Sequence, residues 1–172
     1  QADKFDDVMD LMRNALSVGS TPSIGHDFFE DMDARFIHIA RNPIPTGIPK
    51  IDEKSILGGG LGKGEIGVIT APTGVGKSHM LVSLGSAALR AGFNVIHYTF
   101  ELTETRTGLR YDSNLCDIPS NDIPGRKEEV IAYYEENKDA LGRLMIKEYP
   151  TGTATVQTLR SHIEKLSLKG FI

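Results

Sequence analysis

The segment APTGVGKS, Ala71 to Ser78, sets two glycines, a lysine and a hydroxyl residue between an apolar run and an alanine-rich run. Those types at that spacing suit a phosphate anion. Gly74 and Gly76 let successive backbone N–H groups point inward, Lys77 can reach β- and γ-phosphates, and the Ser78 hydroxyl can coordinate Mg²⁺. Pro72, Thr73 and Val75 complete the expected loop, and His79 adds its backbone directly after Ser78. Ala71 stands where the GxxxxGK[ST] pattern opens with glycine, and the rest of the pattern is intact. The plainer alternative is a glycine turn that opens a helix, and a strand before the loop with a helix after it favours the phosphate cradle. A dinucleotide fingerprint is excluded, because the third glycine position holds His79.

Glu101 is the second group of interest. It ends the apolar run NVIHYTF, and neighbouring parallel strands present their C-terminal ends on one side, where the phosphate loop also lies. A carboxylate there can orient and deprotonate a water that attacks a γ-phosphate. It can equally be an acid that favours the N-terminus of a following helix, and spacing alone leaves both roles open.

The elements that must position these groups follow from periodicity. GVITA and NVIHYTF are short, β-branched and flanked by turn signals, so they read as buried parallel strands joined by a helix over Ser78 to Ala91, with Gly92 as its stop. After Glu101 the pattern predicts a helix through TRTGLRYDSNL, a charged helix RKEEVIAYYEENKDAL, a strand RLMIKEY and a helix carrying Val156, Leu159, Ile163 and Leu166. This alternation predicts an α/β core with a parallel sheet. Upstream, Phe5, Val8, Met9, Met12 and Leu16 recur at helical spacing, and Phe28, Phe29, Met32 and Phe36 fall on one side of a second amphipathic stretch. The prolines of RNPIPTGIP close that stretch, which places a helical segment over 1–44 before an α/β unit over 45–172.

Composition narrows the class further. The 172 residues are 40% hydrophobic, enough for one sizeable core, and a net charge of −4 is the wrong balance for a chain that grips a nucleic-acid backbone unaided. Neither a membrane-length apolar run nor a secretory leader is visible, which predicts a cytoplasmic protein. Cys116 is the single cysteine and reads as a small core residue. The five histidines are scattered without acidic partners at metal-ligand spacing, so they read as structural. Residue 1 is Gln, and LSLKGFI reads as the start of a strand, so a piece of a longer protein is expected.

The segment PTGIPKIDEKSILGGGLGKGEIGVITAPTGVGKS resembles the approach to a RecA-type ATPase core, with a TG…D segment and a glycine-rich turn before the phosphate loop. NVIHYTFELTETRTGLRYDSNLCDI is similar to the DnaB-type replicative helicases, and in particular to phage replicative helicases of the T-even kind. DLMRNALSVG, GHDFFEDMDARF, LGRLMIKEYPTG and TLRSHIEKLSLK carry the same likeness, which covers nearly the whole chain. The resemblance implies a RecA-like core, incomplete here and preceded by a linker helix, that uses ATP and Mg²⁺ and works as a hexameric ring. It implies Glu101 as the catalytic carboxylate, single-stranded DNA bound through residues outside this chain, and a primase as a partner. The Walker B Asp and the arginine finger are expected beyond Ile172. No role for Arg106 or Arg110 follows from it. A recombinase or clock-type RecA-family ATPase is the second reading, since TGIPKID and LGGGLGKGE suit both, and a non-catalytic assembly module is the third.

Overall fold

The computed structural model describes residues 25–36 and 41–171. The chain divides into two units, 1–40 and 41–172, each described by itself. The expected helix over Asp3 to Leu16 lies outside the described residues. In the first unit the expected amphipathic helix is not continuous: a turn stabilised by the Asp27 side chain, which accepts from the N–H groups of Phe29 and Glu30, leads into a single 3-10 turn, Asp33–Phe36. Phe28, Phe29, Met32 and Phe36 are exposed there. An Asx-type turn competes with helical hydrogen bonding at its own start, which is why periodicity alone overstates this stretch.

The second unit begins with a closed turn. The Asp52 carboxylate, on the one-turn helix α1 (Pro49–Asp52), accepts from the N–H and hydroxyl of Thr46 and from the N–H of Gly47. Partial desolvation pushes this carboxyl up, but the hydrogen bonds from Thr46 and Gly47 outweigh it and hold the group below its ordinary range. The TG…D pattern is thus a carboxylate-closed loop. Gly47 has φ +76 and lies where a Cβ would come within 2.7 Å of the Ala87 Cβ, so the loop seats directly on the helix that follows the phosphate loop. Arg41 adds a second clasp, donating to the Gly60 carbonyl at 2.9 Å and to the Glu65 carboxylate at 2.7 Å.

Helix α2 (Lys77–Arg90) then leads to strand β1 (Val95–Thr99), helix α3 (Glu104–Cys116), helix α4 (Lys127–Asn137), strand β2 (Leu144–Glu148) and helix α5 (Val156–Leu168). The two strands pair in parallel, from Val95 opposite Leu144 to Thr99 opposite Glu148. Alternation along β1 divides the sheet's faces. His97 meets Tyr111 of α3 on one face, and Tyr98 hydrogen-bonds His162 of α5 on the other at 2.9 Å. Helices therefore cover both faces, the α/β arrangement that the alternation of elements predicts.

The run GVITA is not a strand. Residues 65–72 have no regular secondary structure and pair with no strand among the described residues, and Ile66 and Val68 are 88% and 83% exposed. β-branched composition marks a segment that fits a sheet, while hydrogen-bonded neighbours decide whether it joins one. The LSL of LSLKGFI likewise belongs to α5, whose start carries a reciprocal cap between Thr155 and Thr158. The chain turns after it at Gly170, φ +66. Phe171 is buried there, with its carbonyl accepting from Asn94 at 2.6 Å and its ring under the Arg143 guanidinium.

The core sits where α2 and α3 meet the sheet: Val82, Leu89, Tyr111 and Leu115 are buried, with Val95, Leu144 and Ile146 against them. Each such side chain contributes about 1.5–3 kcal/mol through removal of apolar surface from water. Cys116 packs beside a smaller cluster of Ile118, Ile123 and Val130, and burial pushes its thiol pKa up, as suits a structural cysteine. The tightest approach is at Gly85 of α2, where a Cβ would collide with the Tyr111 hydroxyl. Gly85→Ala is therefore expected to destabilise the fold by about 1–3 kcal/mol through overpacking, read as a lowered midpoint in denaturant melts with an unchanged slope.

Candidate functional site

The loop before α2 has the geometry of an anion cradle. Gly74 and Gly76 take φ of +84° and +101°, in the left-handed region that favours glycine, and no atom lies within 4 Å of where a Cβ would stand. The backbone there borders open space. Gly76 is the N-cap of α2 and no side chain caps the helix, while the first intrahelical bond runs from Met80 N–H to the Gly76 carbonyl at 2.9 Å. The N–H groups of Lys77, Ser78 and His79 thus lie in the first turn, where the helix itself supplies no acceptor. The Lys77 ammonium donates to the carbonyls of Ala71 at 3.0 Å and Pro72 at 2.8 Å, which keeps the cation against the loop it would serve. Glycine backbone, uncapped N–H groups and an ammonium on one loop fit the phosphates of a nucleotide.

A cavity of about 280 Å³ opens between this helix start and the C-terminal end of β1. Lys77 and Ser78 line it from α2, and Glu101 lines it from the opposite side. Pro72, Thr73, Gly74, Val75, Gly76 and His79 are not among its lining residues, although Gly76 remains the cap of the helix that is. The fold therefore brings three of the sequence-derived chemical groups to one cavity. Ser78, the hydroxyl that the sequence offers to Mg²⁺, lines this cavity, and no group of three or more His, Cys, Asp or Glu that could hold a metal ion is present among the described residues.

The helix-terminal alternative for Glu101 does not match the geometry. Helix α3 begins at Glu104 and is capped by Thr103, whose hydroxyl accepts from the Arg106 N–H at 3.2 Å. Glu104 is the acid of the first turn, and the Glu148 N–H and the Lys147 ammonium hold its carboxyl below the usual range. Glu101 instead stands before the helix, exposed, on the turn that leaves β1. That turn is fixed from two directions. The Thr99 hydroxyl accepts from Leu102 N–H and donates to the Leu102 carbonyl, while the Thr151 hydroxyl donates to the Phe100 carbonyl at 3.0 Å.

Three further polar cavity residues lie outside the motifs that mark the site in the sequence. His97 lines the cavity from β1, hydrogen-bonded through Nδ1 to the Tyr111 hydroxyl at 3.0 Å, and burial lowers its pKa. The same burial pushes the Tyr111 phenol up to about 12, so the pair is neutral near pH 7. Thr107 and Arg110 line it from α3. Their spacing of three, on the face that also carries buried Tyr111, is the signal that was available.

No family model matches the chain. The chain is 34% identical over 170 residues to a DnaB-like replicative helicase of Enterobacteria phage T4, a match that covers 94% of this chain and 35% of that protein. It is 28% identical over 142 residues to the DNA repair protein RadA of Rickettsia felis, covering 76% of this chain and 31% of that one. The chain thus spans about a third of the length of the curated relatives it matches. The likeness read from its motifs holds: over nearly all of its length this chain is similar to a DnaB-like replicative helicase.

Proposed function

We propose that the chain is the linker and first half of the motor domain of an ATP-dependent replicative DNA helicase, and that the cavity between the start of α2 and the end of β1 is its nucleotide site. The convergence of Lys77, Ser78 and Glu101 on one cavity supports this most directly. In this reading the loop N–H groups and Lys77 hold the phosphates, Ser78 contributes a hydroxyl to the Mg²⁺ site, and Glu101 accepts a proton from the attacking water. Bound Mg²⁺ supplies charge neutralisation between the phosphates. Thr99 and Thr151 hold the Glu101 turn in place from behind.

The remaining parts belong to the intact protein. A hexameric ring, single-stranded DNA gripped through residues outside this chain, a primase partner and a cytoplasmic setting follow the likeness to the phage helicase. Among the described residues no helix is long and apolar enough to cross a membrane. The stripe of Phe5, Val8, Met9, Met12 and Leu16 is the device we assign to ring assembly through docking on a neighbouring copy. The match to RadA supports the second reading, a RecA-family recombinase or clock-type ATPase with the same site, and a helicase assay separates the two.

Two variants of the intact protein test the site. Lys77→Ala should abolish ATPase and unwinding together, because the phosphates lose their point charge; turnover at the wild-type rate would remove the loop from the site. Glu101→Gln should leave nucleotide affinity near wild type and slow hydrolysis by roughly 100-fold or more, since only the proton acceptor is changed. Parallel losses of affinity and turnover in that variant would return Glu101 to a structural role.

A further inference from the structure

Arg110 is the charged cavity residue whose chemistry the proposed site does not yet use. Its Nη1 is buried without a hydrogen-bond partner, and none of the ion pairs among the described residues involves it. Other arginines differ. Arg90 donates to the Asn114 carbonyl, Arg126 to Glu129 and Arg143 to the Gly170 carbonyl. A guanidinium carries five donors and a charge that persists at any ordinary pH, so a buried, unmet N–H on it is costly unless an acceptor arrives.

The fold fixes where that acceptor would stand. Thr107 and Tyr111, each 1% exposed, flank Arg110 at spacings of three and one on α3. Tyr111 is locked between Gly85 and His97, which fixes the face that α3 turns toward the cavity. Arg110 therefore lines the cavity from α3, while Lys77 and Ser78 line it from α2. The loop and Lys77 account for the phosphates nearest α2. An anion that extends past them toward β1 meets the α3 wall, where the Arg110 side chain lines the cavity and must turn its buried Nη1 outward to reach it.

Resting on the nucleotide reading of this cavity, we propose that Arg110 reads the terminal phosphate of a bound nucleoside triphosphate and so distinguishes it from the diphosphate. Guanidinium suits this because its planar fork pairs with phosphate oxygens two at a time. The diphosphate lacks the group that would satisfy Nη1, so the two ligands differ by one charge-assisted contact. Glu101 lines the same cavity and is the competing acceptor.

The test is equilibrium binding of a fluorescent, non-hydrolysable ATP analogue and of fluorescent ADP, each with Mg²⁺, to the full-length protein, comparing wild type, Arg110→Ala, Arg110→Lys and Lys77→Ala. Removing a hydrogen bond between charged groups should weaken the triphosphate by about 10- to 100-fold in Arg110→Ala while ADP changes by less than about 3-fold. Arg110→Lys keeps charge and bulk but not the fork, so its preference for triphosphate should fall between the two and cover the case in which the alanine variant does not fold. Equal weakening of both ligands would overturn the proposal, as would unchanged triphosphate binding with slower turnover, which would assign Arg110 to Glu101 instead. Wild-type affinity in Lys77→Ala would overturn the site itself, an outcome distinct from failure at Arg110.

Discussion

The close approach of α2 and α3 at Gly85 and Tyr111 is the constraint on which the rest of the second unit depends. α2 carries Lys77 and Ser78 at its start, α3 follows directly from the turn that holds Glu101, and the Tyr111 ring reaches both Gly85 and His97. One aromatic side chain thus sets the separation of the two cavity walls. Any side chain at position 85 would push them apart, and a smaller residue at 111 would leave His97 without its hydrogen-bond partner in a buried setting. Buried Val82 and Leu89, on the same helix as Gly85, make the contact part of the main core.

The polar contacts around this seam divide into two kinds. Those that shape backbone are closed and local: Asp52 on Thr46 and Gly47, Arg41 on Gly60 and Glu65, Thr99 on Leu102, Thr151 on Phe100. They consume donors and acceptors in pairs and leave the loop and the Glu101 turn with defined shapes. Lys77 and Arg110 differ. One rests on carbonyls of its own loop and the other has a buried N–H with no partner, so the cavity presents positive charge with little counter-charge beyond Glu101. A low-dielectric cleft of that kind strengthens attraction to an anion.

Much of this was legible in the sequence, for identifiable reasons. APTGVGKS carries its own physics in glycine freedom and a lysine, and the helices over 77–90, 104–116 and 156–168 fall where the sequence places helical stretches, whereas their caps at Thr103 and Thr155 emerge only in the structure. The parallel sense of the sheet followed from the alternation of elements, while the direct pairing of NVIHYTF with RLMIKEY did not. Other features depend on long-range neighbours and so escaped local reading. GVITA has the composition of a buried strand, yet its status turns on partners that none of the described residues provide. The stretch after His26 has helical spacing but is captured by the Asp27 turn. Arg110 looks like any surface arginine until Tyr111 fixes which way α3 faces.

The proposed function requires a magnesium nucleotide to bind between the start of α2 and the end of β1. Amide hydrogen exchange of the intact protein, with and without Mg²⁺ and a non-hydrolysable ATP analogue, addresses it at the level of single segments. Slowed exchange is expected in two separate stretches, 74–80 at the loop and first turn of α2 and 99–110 from the Glu101 turn into α3. Protection confined to other segments, or none at saturating nucleotide, would contradict it.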